Sequence, residues 1–275
     1  MDKSCIAVIG CGNMGRSLIG GLIAEGRPVA GLRAADPEET ARERVRTLFG
    51  VQVFADNTAA IRGASVVILA VKPQSMKSVV CTAAPLFREQ RPLILSIAAG
   101  IRVRDIQHWL GADLPVVRAM PNTPALIRAG VTALCANENV SSGQRALAEE
   151  MMDAVGSTLW VKDEGLLDIV TALSGSGPAY FLLVMEALEK AAVELGLPAE
   201  QARTLTLETA LGSAKMALGG TAEPAELRRQ VTSPGGTTEA ALQVLEQSGL
   251  ARIFRDALHA ASLRAAELAQ TYGAD

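Results

Sequence analysis

A glycine-rich loop near the amino terminus has the spacing that binds the pyrophosphate of a dinucleotide. Gly10, Gly12 and Gly15 directly follow the apolar run Ile6–Ile9 and open a helix-like stretch. The first glycine permits a tight turn, the second lets the backbone approach a pyrophosphate, and the third allows a helix to pack closely on a strand. N–H groups at the helix start then bind the anion. The pattern predicts a dinucleotide site, and the alternative is a glycine-rich turn without a ligand.

The residue placed to contact the ribose of such a cofactor is Asp36, which follows Gly15 by 21 residues. An acidic residue near this position holds the ribose hydroxyls of NAD and would repel the 2′-phosphate of NADP. Arg33 and Arg42 are close enough in sequence to neutralise it. Because Pro37 follows directly, a helix cap with proline at the first helical position explains Asp36 equally well. The sequence therefore leaves the choice between NAD and NADP open.

A second pair of glycines lies near the carboxyl terminus, in the sequence Ser-Pro-Gly-Gly-Thr-Thr at residues 233–238. A Pro-Gly-Gly turn before a helix exposes N–H groups at the positive helix end, and the glycines permit close approach of an anion. The alternative is that Thr237 or Thr238 only caps the helix. Two glycines exceed what a cap needs, so the segment predicts an anion site.

The elements that position these residues alternate between strand-like and helix-like stretches up to Val161, which predicts a mainly parallel sheet covered on both faces. One further strand should end near Asp36. The other predicted strands are Ile6–Ile9, Val51–Phe54, Val66–Val71, Leu93–Ile97, Val116–Val117, Val131–Leu134 and Leu159–Val161. The helix-like stretches between them are Asn13–Ala24, Glu38–Phe49, Ser75–Leu86 and Ser142–Ala154.

The remaining chain lacks strand patterns and consists of long amphipathic stretches. They are Leu166–Leu195, Ala199–Leu218, Thr238–Gln247 and Ala251–Gln270. We therefore predict an α/β fold with a Rossmann domain at residues 1–162 and an all-helical domain at residues 163–275. The apolar helices indicate burial against another subunit, or alternatively a bundle that packs only on the first domain. Ser174–Pro178 should break or kink its helix.

The composition argues against several classes of partner. The net charge is −3 and no basic run occurs, which disfavours nucleic acid and anionic membranes. No uninterrupted run approaches the roughly 18 apolar residues of a membrane span, and no signal peptide is evident. The four cysteines form no CxxC pair, and His108 and His259 lack ligand spacing, so we predict no disulfide scaffold and no metal site. A cytoplasmic location is expected.

Six segments together resemble pyrroline-5-carboxylate reductases. They are residues 9–15, 70–73, 96–100, 118–125, 174–180 and 233–238. The first is shared by many dehydrogenases, whereas the last three in this order are far more specific. The resemblance implies a Rossmann domain, a helical domain that dimerises by interleaving, and dimers that assemble into rings. It also implies NADPH- or NADH-dependent reduction of 1-pyrroline-5-carboxylate, a cyclic imine carboxylate, to L-proline.

The resemblance, together with the glycine motif, also assigns site residues. The cofactor-binding residues are Ile9, Gly10, Cys11, Gly12, Asn13, Met14, Gly15, Ala35, Asp36, Asn57, Ala70, Val71, Lys72, Pro73, Ile97, Ala98 and Ala99. The substrate-binding residues are Ala99, Ser233, Gly235, Gly236, Thr237 and Thr238. Many relatives carry Ser, Thr or Asn in place of Asp36. Some also carry an acidic residue two or three positions before the proline matched by Pro224, where this chain has Thr221 and Ala222.

The chemistry implied by the resemblance needs little acid–base help. A cyclic imine is basic enough to arrive partly as an iminium ion, and no general acid is evident in the sequence. We expect Thr238 to be the catalytic residue that hydrogen-bonds the ring nitrogen, with positioning in a water-poor pocket supplying most of the catalysis.

Three other functions remain open. The chain is alternatively a reductase of a six-membered cyclic imine, or a β-hydroxyacid-dehydrogenase-like enzyme, which would need Lys190 or Lys215 as its catalytic lysine. It is otherwise a silent paralogue that binds nucleotide without turnover.

The roles of three further residues are also open. Lys72 either reaches a phosphate or lies on the surface, and Asn122 and Thr123 either face the cleft or belong to a rigid loop.

Overall fold

The computed structural model describes residues 5–273 of the chain. Within this range, eight strands form one sheet. The strands are β1 (Ile6–Ile9), β2 (Leu32–Ala35), β3 (Gln52–Phe54), β4 (Val66–Leu69), β5 (Leu93–Ser96), β6 (Val116–Met120), β7 (Gly130–Ala136) and β8 (Gly156–Trp160). Their order is β3-β2-β1-β4-β5-β6-β7-β8, and neighbours run parallel except the antiparallel pair β6 and β7. The prediction of a mainly parallel sheet is confirmed.

Helices cover both faces of this sheet. They are α1 (Asn13–Ala24), α2 (Glu39–Phe49), α3 (Asn57–Ile61), α4 (Pro73–Gln90), α5 (Val103–Leu110), α6 (Ser142–Asp153) and α7 (Leu166–Val170). Ile6 and Val8 belong to an apolar cluster on one face, and Ala7 and Ile9 belong to a cluster on the other. Because successive strand side chains point to opposite faces, a strand buried on both faces must be apolar throughout. This explains the uninterrupted apolar runs in the sequence.

The described chain divides into two compact units, one formed by residues up to 176 together with those from 260 onward, and one formed by residues 177–259. The second unit contains α8 (Gly177–Glu194), α9 (Ala199–Gly219), α10 (Pro224–Gln230), α11 (Thr237–Gln247) and the start of α12 (Leu250–Gly273). The all-helical character predicted after residue 163 is confirmed. The boundary predicted at residues 162 and 163 stays a prediction.

The last turns of α12 pack on the unit that carries the sheet. Ala265 and Ala269 are buried, and Tyr272 accepts a hydrogen bond of 2.8 Å from the Gln74 side-chain amide. A Cβ on Gly100 would lie 3.4 Å from the backbone nitrogen of Ala269. Small residues at the contact therefore let the carboxyl-terminal helix brace the loop that follows β5.

The second unit exposes much of its apolar surface. Ala202 is buried, but many large apolar side chains of the helices face outward. The most exposed of them include Phe181, Leu182, Leu183, Leu188, Leu205, Leu211, Met216, Leu218, Val244 and Ile253. Exposed apolar patches of this extent mark interaction surfaces.

The stretch Leu166–Glu194 is long and apolar enough to cross a membrane, judged by length and composition alone, with a mean hydropathy of 1.4. The stretch contains no long uninterrupted apolar run, because polar residues such as Asp168, Ser174 and Glu186 divide it. One such stretch is weak evidence, and the helix of a soluble protein passes the same test. Only 17% of its most apolar window is buried in the single chain, as expected for an apolar helix face that is covered by another subunit.

The break predicted at Ser174–Pro178 is a π-helical turn at Thr171–Gly175. Pro178 has no N–H to donate to the Ser174 carbonyl four residues earlier, so the regular helix cannot continue. The buried Asn122 replaces that donor, because its Nδ2 donates to the Ser174 carbonyl at 3.1 Å. Its Oδ1 accepts from the Val131 N–H at 3.0 Å. Asn122 therefore ties the π-turn to β7 and belongs to a structural brace.

We predict that Asn122→Ala destabilises the fold by about 2 kcal/mol, because it leaves a half-buried carbonyl and a half-buried N–H without their protein partner. Urea unfolding at one fixed subunit concentration measures the change. Thr123→Ala, at the exposed neighbouring position, is the control and should shift the free energy of unfolding by less than about 0.5 kcal/mol. Equal shifts for the two variants would contradict the brace.

Candidate dinucleotide and anion sites

The glycine-rich loop has two glycines that the fold itself requires and one that it does not. Gly10 has φ +106°, and a Cβ there would lie 2.5 Å from the Ala70 carbonyl oxygen. A Cβ on Gly15 would collide with the Gly10 carbonyl oxygen. Gly12 has φ −65°, and apart from its two chain neighbours no described residue has an atom within 4 Å of a Cβ built there. Since packing does not demand a glycine at position 12, the open space beside it fits a ligand that approaches the backbone.

The start of α1 leaves its N–H groups to that ligand. Gly12 is the N-cap and provides no side-chain oxygen, and the first turn contains no acidic residue. The first N–H groups of a helix have no partners within it, so they and the helix dipole favour an anion. Cys11 lies in the loop but is no nucleophile, because burial and then the Asp36 carboxylate raise the pKa of its thiol to about 12.

The helix-cap interpretation of Asp36 is wrong. Helix α2 begins at Glu39 with Glu38 as its N-cap, so Pro37 lies outside the helix. One carboxylate oxygen of Asp36 accepts the Glu38 N–H at 2.9 Å, and the other accepts the Cys11 N–H at 2.8 Å. The bond to Cys11 crosses from the end of β2 to the glycine-rich loop. Local sequence could not predict this contact, because 25 residues separate Cys11 from Asp36.

The other predicted cofactor residues lie at the same edge of the sheet. Ala70 and Val71 follow β4, Ile97–Ala99 follow β5, and Asn57 begins α3 just after β3. Because these strands run parallel, their carboxyl ends meet at one edge, where open α/β sheets bind ligands. Lys72 is the N-cap of α4 with an exposed side chain, and Pro73 is the first residue of that helix.

The predicted anion segment forms the start of α11 in the second unit. Helix α11 begins at Thr237 after the N-cap Gly236, so neither threonine caps it, and the capping interpretation is wrong. Gly235 has φ +70°, and its N–H donates to the Glu239 carboxylate at 2.7 Å. The segment thus presents backbone donors without a side-chain cap, beside two hydroxyl groups. Ser233, Gly235, Gly236, Thr237 and Thr238 lie in this unit, whereas Ala99 lies in the first.

Glu239 is a residue of this segment that the sequence analysis did not single out. A glutamate in the first turn of a helix is commonplace, because it interacts favourably with the helix dipole. Its contact with the Gly235 N–H appears only once the Pro-Gly-Gly turn is folded back on the helix. That contact places the negative charge of the Glu239 carboxylate beside the Pro-Gly-Gly turn.

The lysines required by the β-hydroxyacid dehydrogenase alternative lie on helices of the second unit. The Lys190 ammonium is 2.5 Å from the Glu186 carboxylate one turn earlier, and this contact raises the pKa of the lysine. Such an exposed pair at i and i+4 is an ordinary feature of a helix surface. Lys215 is exposed on α9. Within residues 5–273, no group of three or more His, Cys, Asp or Glu could hold a metal ion.

The fold and the glycine-rich loop define a dinucleotide-binding oxidoreductase with an added helical unit. Two family models match the chain. Residues 164–268 match the family described as pyrroline-5-carboxylate reductase dimerisation, and residues 5–100 match the family described as NADP oxidoreductase, coenzyme F420-dependent. The two matches fall on the helical part and on the strand-rich part of the chain.

Individual proteins resemble the chain over its whole length. A pyrroline-5-carboxylate reductase of Pseudomonas aeruginosa is 52% identical over 99% of this chain and 100% of its own length. The structure of a pyrroline-5-carboxylate reductase from Coxiella burnetii superposes with a TM-score of 0.94 at 44% identity, covering 97% and 99% of the two chains. A Plasmodium falciparum pyrroline carboxylate reductase with NADP bound has a TM-score of 0.85 at 28% identity, covering 98% and 99%.

The chain belongs to the pyrroline-5-carboxylate reductase family, whose members are NAD(P)-dependent oxidoreductases. The resemblance found in the sequence is confirmed. So is the prediction of a Rossmann domain followed by a helical dimerisation domain.

We predict that Gly12→Ala folds normally but binds NADH at least about 10-fold more weakly, which is about 1.4 kcal/mol of binding free energy. The added methyl group enters space that no described side chain or backbone atom fills, so the loss falls on the ligand. Fluorescence titration measures the affinity, and thermal unfolding reports the fold. Gly143→Ala, also in open space but on α6, is the control and should keep full affinity. Unchanged binding by Gly12→Ala would remove the loop from the cofactor site.

Proposed function

We propose that this protein reduces 1-pyrroline-5-carboxylate to L-proline with NADPH or NADH, the last step of proline biosynthesis. The observation that carries the proposal is the 52% identity to a pyrroline-5-carboxylate reductase over essentially both full chains. The chain also carries both glycine-rich segments, at residues 10–15 and at residues 233–238. This supports an active enzyme over a silent nucleotide-binding paralogue.

The cofactor is held at the carboxyl edge of the sheet. The loop from Ile9 to Gly15 takes the pyrophosphate on the free N–H groups of α1, and Asp36 takes the ribose. Residues 70–73, Asn57 and Ile97–Ala99 line the same edge. Gly12 leaves the room that the backbone approach needs, and this is the observation that fits the loop to a dinucleotide.

The substrate carboxylate binds at the start of α11. Its partners are the N–H groups that follow Gly236, which no side chain caps, with the threonine hydroxyls beside them. Gly235 and Gly236 keep the backbone accessible there. Ser233 and Ala99 complete the proposed set of substrate contacts.

The reduction places few demands on acid–base groups. When bound, the nicotinamide supplies the hydride for the carbon of the C=N bond. The Thr238 hydroxyl hydrogen-bonds the ring nitrogen and orients it, and an imine that arrives as an iminium ion already carries the proton of the product amine. Positioning is then the main contribution of the protein.

The protein associates with itself through the second unit, and we propose an interleaved dimer whose copies assemble into a ring. The outward apolar side chains of α8 and α9 support this arrangement, because a second copy would remove them from water. We also propose a cytoplasmic location. The four cysteines are free thiols, as is usual in a reducing compartment.

We predict that Thr238→Ala lowers kcat/KM for 1-pyrroline-5-carboxylate by about 10-fold or more, about 1.4 kcal/mol of transition-state stabilisation. Following NADH and NADPH absorbance with freshly prepared substrate measures the effect. Thr238→Ser keeps the hydroxyl and should retain most of the activity. If Thr238→Ala keeps the kinetics of the wild-type protein, this hydroxyl has no part in the mechanism. If the protein reduces only the six-membered imine, that compound is the substrate in place of 1-pyrroline-5-carboxylate.

We predict that Leu182→Asp disrupts self-association, because a carboxylate cannot be buried at an apolar interface without a partner. Light scattering after size-exclusion chromatography measures the mass. Leu48→Asp on α2 is the matched control, since both leucines are 62% exposed in the single chain, and it should leave the assembly intact. If Leu182→Asp and Leu48→Asp both keep the mass of the wild-type assembly, the interface does not include Leu182.

A further inference from the structure

Asp36 lies at the junction of β2 and α2, where two backbone N–H groups hold its carboxylate. Its two carboxylate oxygens accept the N–H groups of Cys11 and Glu38 at 2.8 and 2.9 Å. One bond comes from the glycine-rich loop and the other from the approach to α2. The carboxylate is therefore fixed between the two segments that flank the ribose of a dinucleotide bound at this loop.

The arginines that could neutralise this carboxylate are directed to carbonyl oxygens. Arg42 Nη1 donates to the Asp36 and Pro37 carbonyls at 2.8 Å each. Arg33 Nη1 donates to the Arg62 carbonyl at 2.6 Å. A 2′-phosphate is bound best by a guanidinium fork aimed at its oxygens. In this chain the Nη1 atom of each arginine is engaged by carbonyl oxygens and not by the Asp36 carboxylate.

The residues that follow add negative charge at the same place. Glu38 is the N-cap of α2 and Glu39 is its first residue, and both side chains are exposed. Three carboxylates thus lie within four residues of chain, at the helix end that a phosphate would otherwise favour. Like charges at short range disfavour a second anion.

We propose that Asp36, supported by Glu38 and Glu39, makes this enzyme prefer NADH to NADPH. The proposal rests on the proposed function, since it assigns the ribose of the nicotinamide cofactor to this junction. The carboxylate accepts hydrogen bonds from the ribose hydroxyls of NADH, whereas the 2′-phosphate of NADPH meets three carboxylates.

Calorimetric titration with NAD⁺ and NADP⁺, without the imine, tests the preference independently of turnover. We expect the wild-type protein to bind NADP⁺ at least about 10-fold more weakly than NAD⁺. Asp36→Asn keeps the size of the side chain and one carbonyl oxygen but removes the charge. It should reduce the ratio of the two dissociation constants about 10-fold, mainly by tightening NADP⁺. The ratio of kcat/KM values for NADH and NADPH should follow the same trend.

Asp153→Asn is the control, because Asp153 is an exposed carboxylate on α6 that accepts a hydrogen bond of 2.7 Å from Thr158. Its ratio should equal that of the wild-type protein. Equal or tighter binding of NADP⁺ by the wild-type protein overturns the preference, and so does an unchanged ratio in Asp36→Asn. If the imine is still reduced in those cases, the proposed function stands. Failure of both dinucleotides to bind overturns the two proposals together.

Discussion

The close approach of three backbone segments at Gly10 is the constraint on which the first unit depends. The Gly10 N–H donates to the Ala35 carbonyl at 2.8 Å, and the Ala70 N–H donates to the Ile9 carbonyl at 2.7 Å. The loop is thereby fastened to the strands on both sides of β1. A side chain at position 10 or 15 would separate the segments, because backbone atoms occupy its space. The same contact therefore positions both the glycine-rich loop and Asp36, which directly follows Ala35.

One helix in each unit begins in the same way, but the charges beside the two helix starts differ. Helices α1 and α11 both begin after a glycine without a side-chain cap. The first turn of α1 contains no acidic residue, which suits a pyrophosphate. The first turn of α11 carries Glu239, whose carboxylate already binds the Gly235 N–H. The substrate carboxylate proposed for this site would therefore bind beside an existing negative charge, which would weaken its binding.

The second unit leaves many of its large apolar side chains exposed in the single chain. Its helices keep large apolar side chains in the solvent of a single chain, so the hydrophobic stabilisation that they offer is realised only when another surface covers them. Stability of this unit is then linked to subunit concentration. The same apolar excess gives Leu166–Glu194 the composition of a membrane-spanning helix.

The sequence alone determined the features that depend on local spacing or on buried periodicity. The glycine motif, the apolar strands and the start of α1 at Asn13 follow from residue types within a few positions of one another. Family segments spread along the chain identified the reductase family from the sequence. What the tertiary structure decided lies in contacts between distant segments. Asp36 meets the Cys11 N–H across 25 residues, and Asn122 meets the Ser174 carbonyl across 52. Such partners are chosen by the packing of strands and helices, so sequence spacing reveals only that each group needs a partner and not which one it finds.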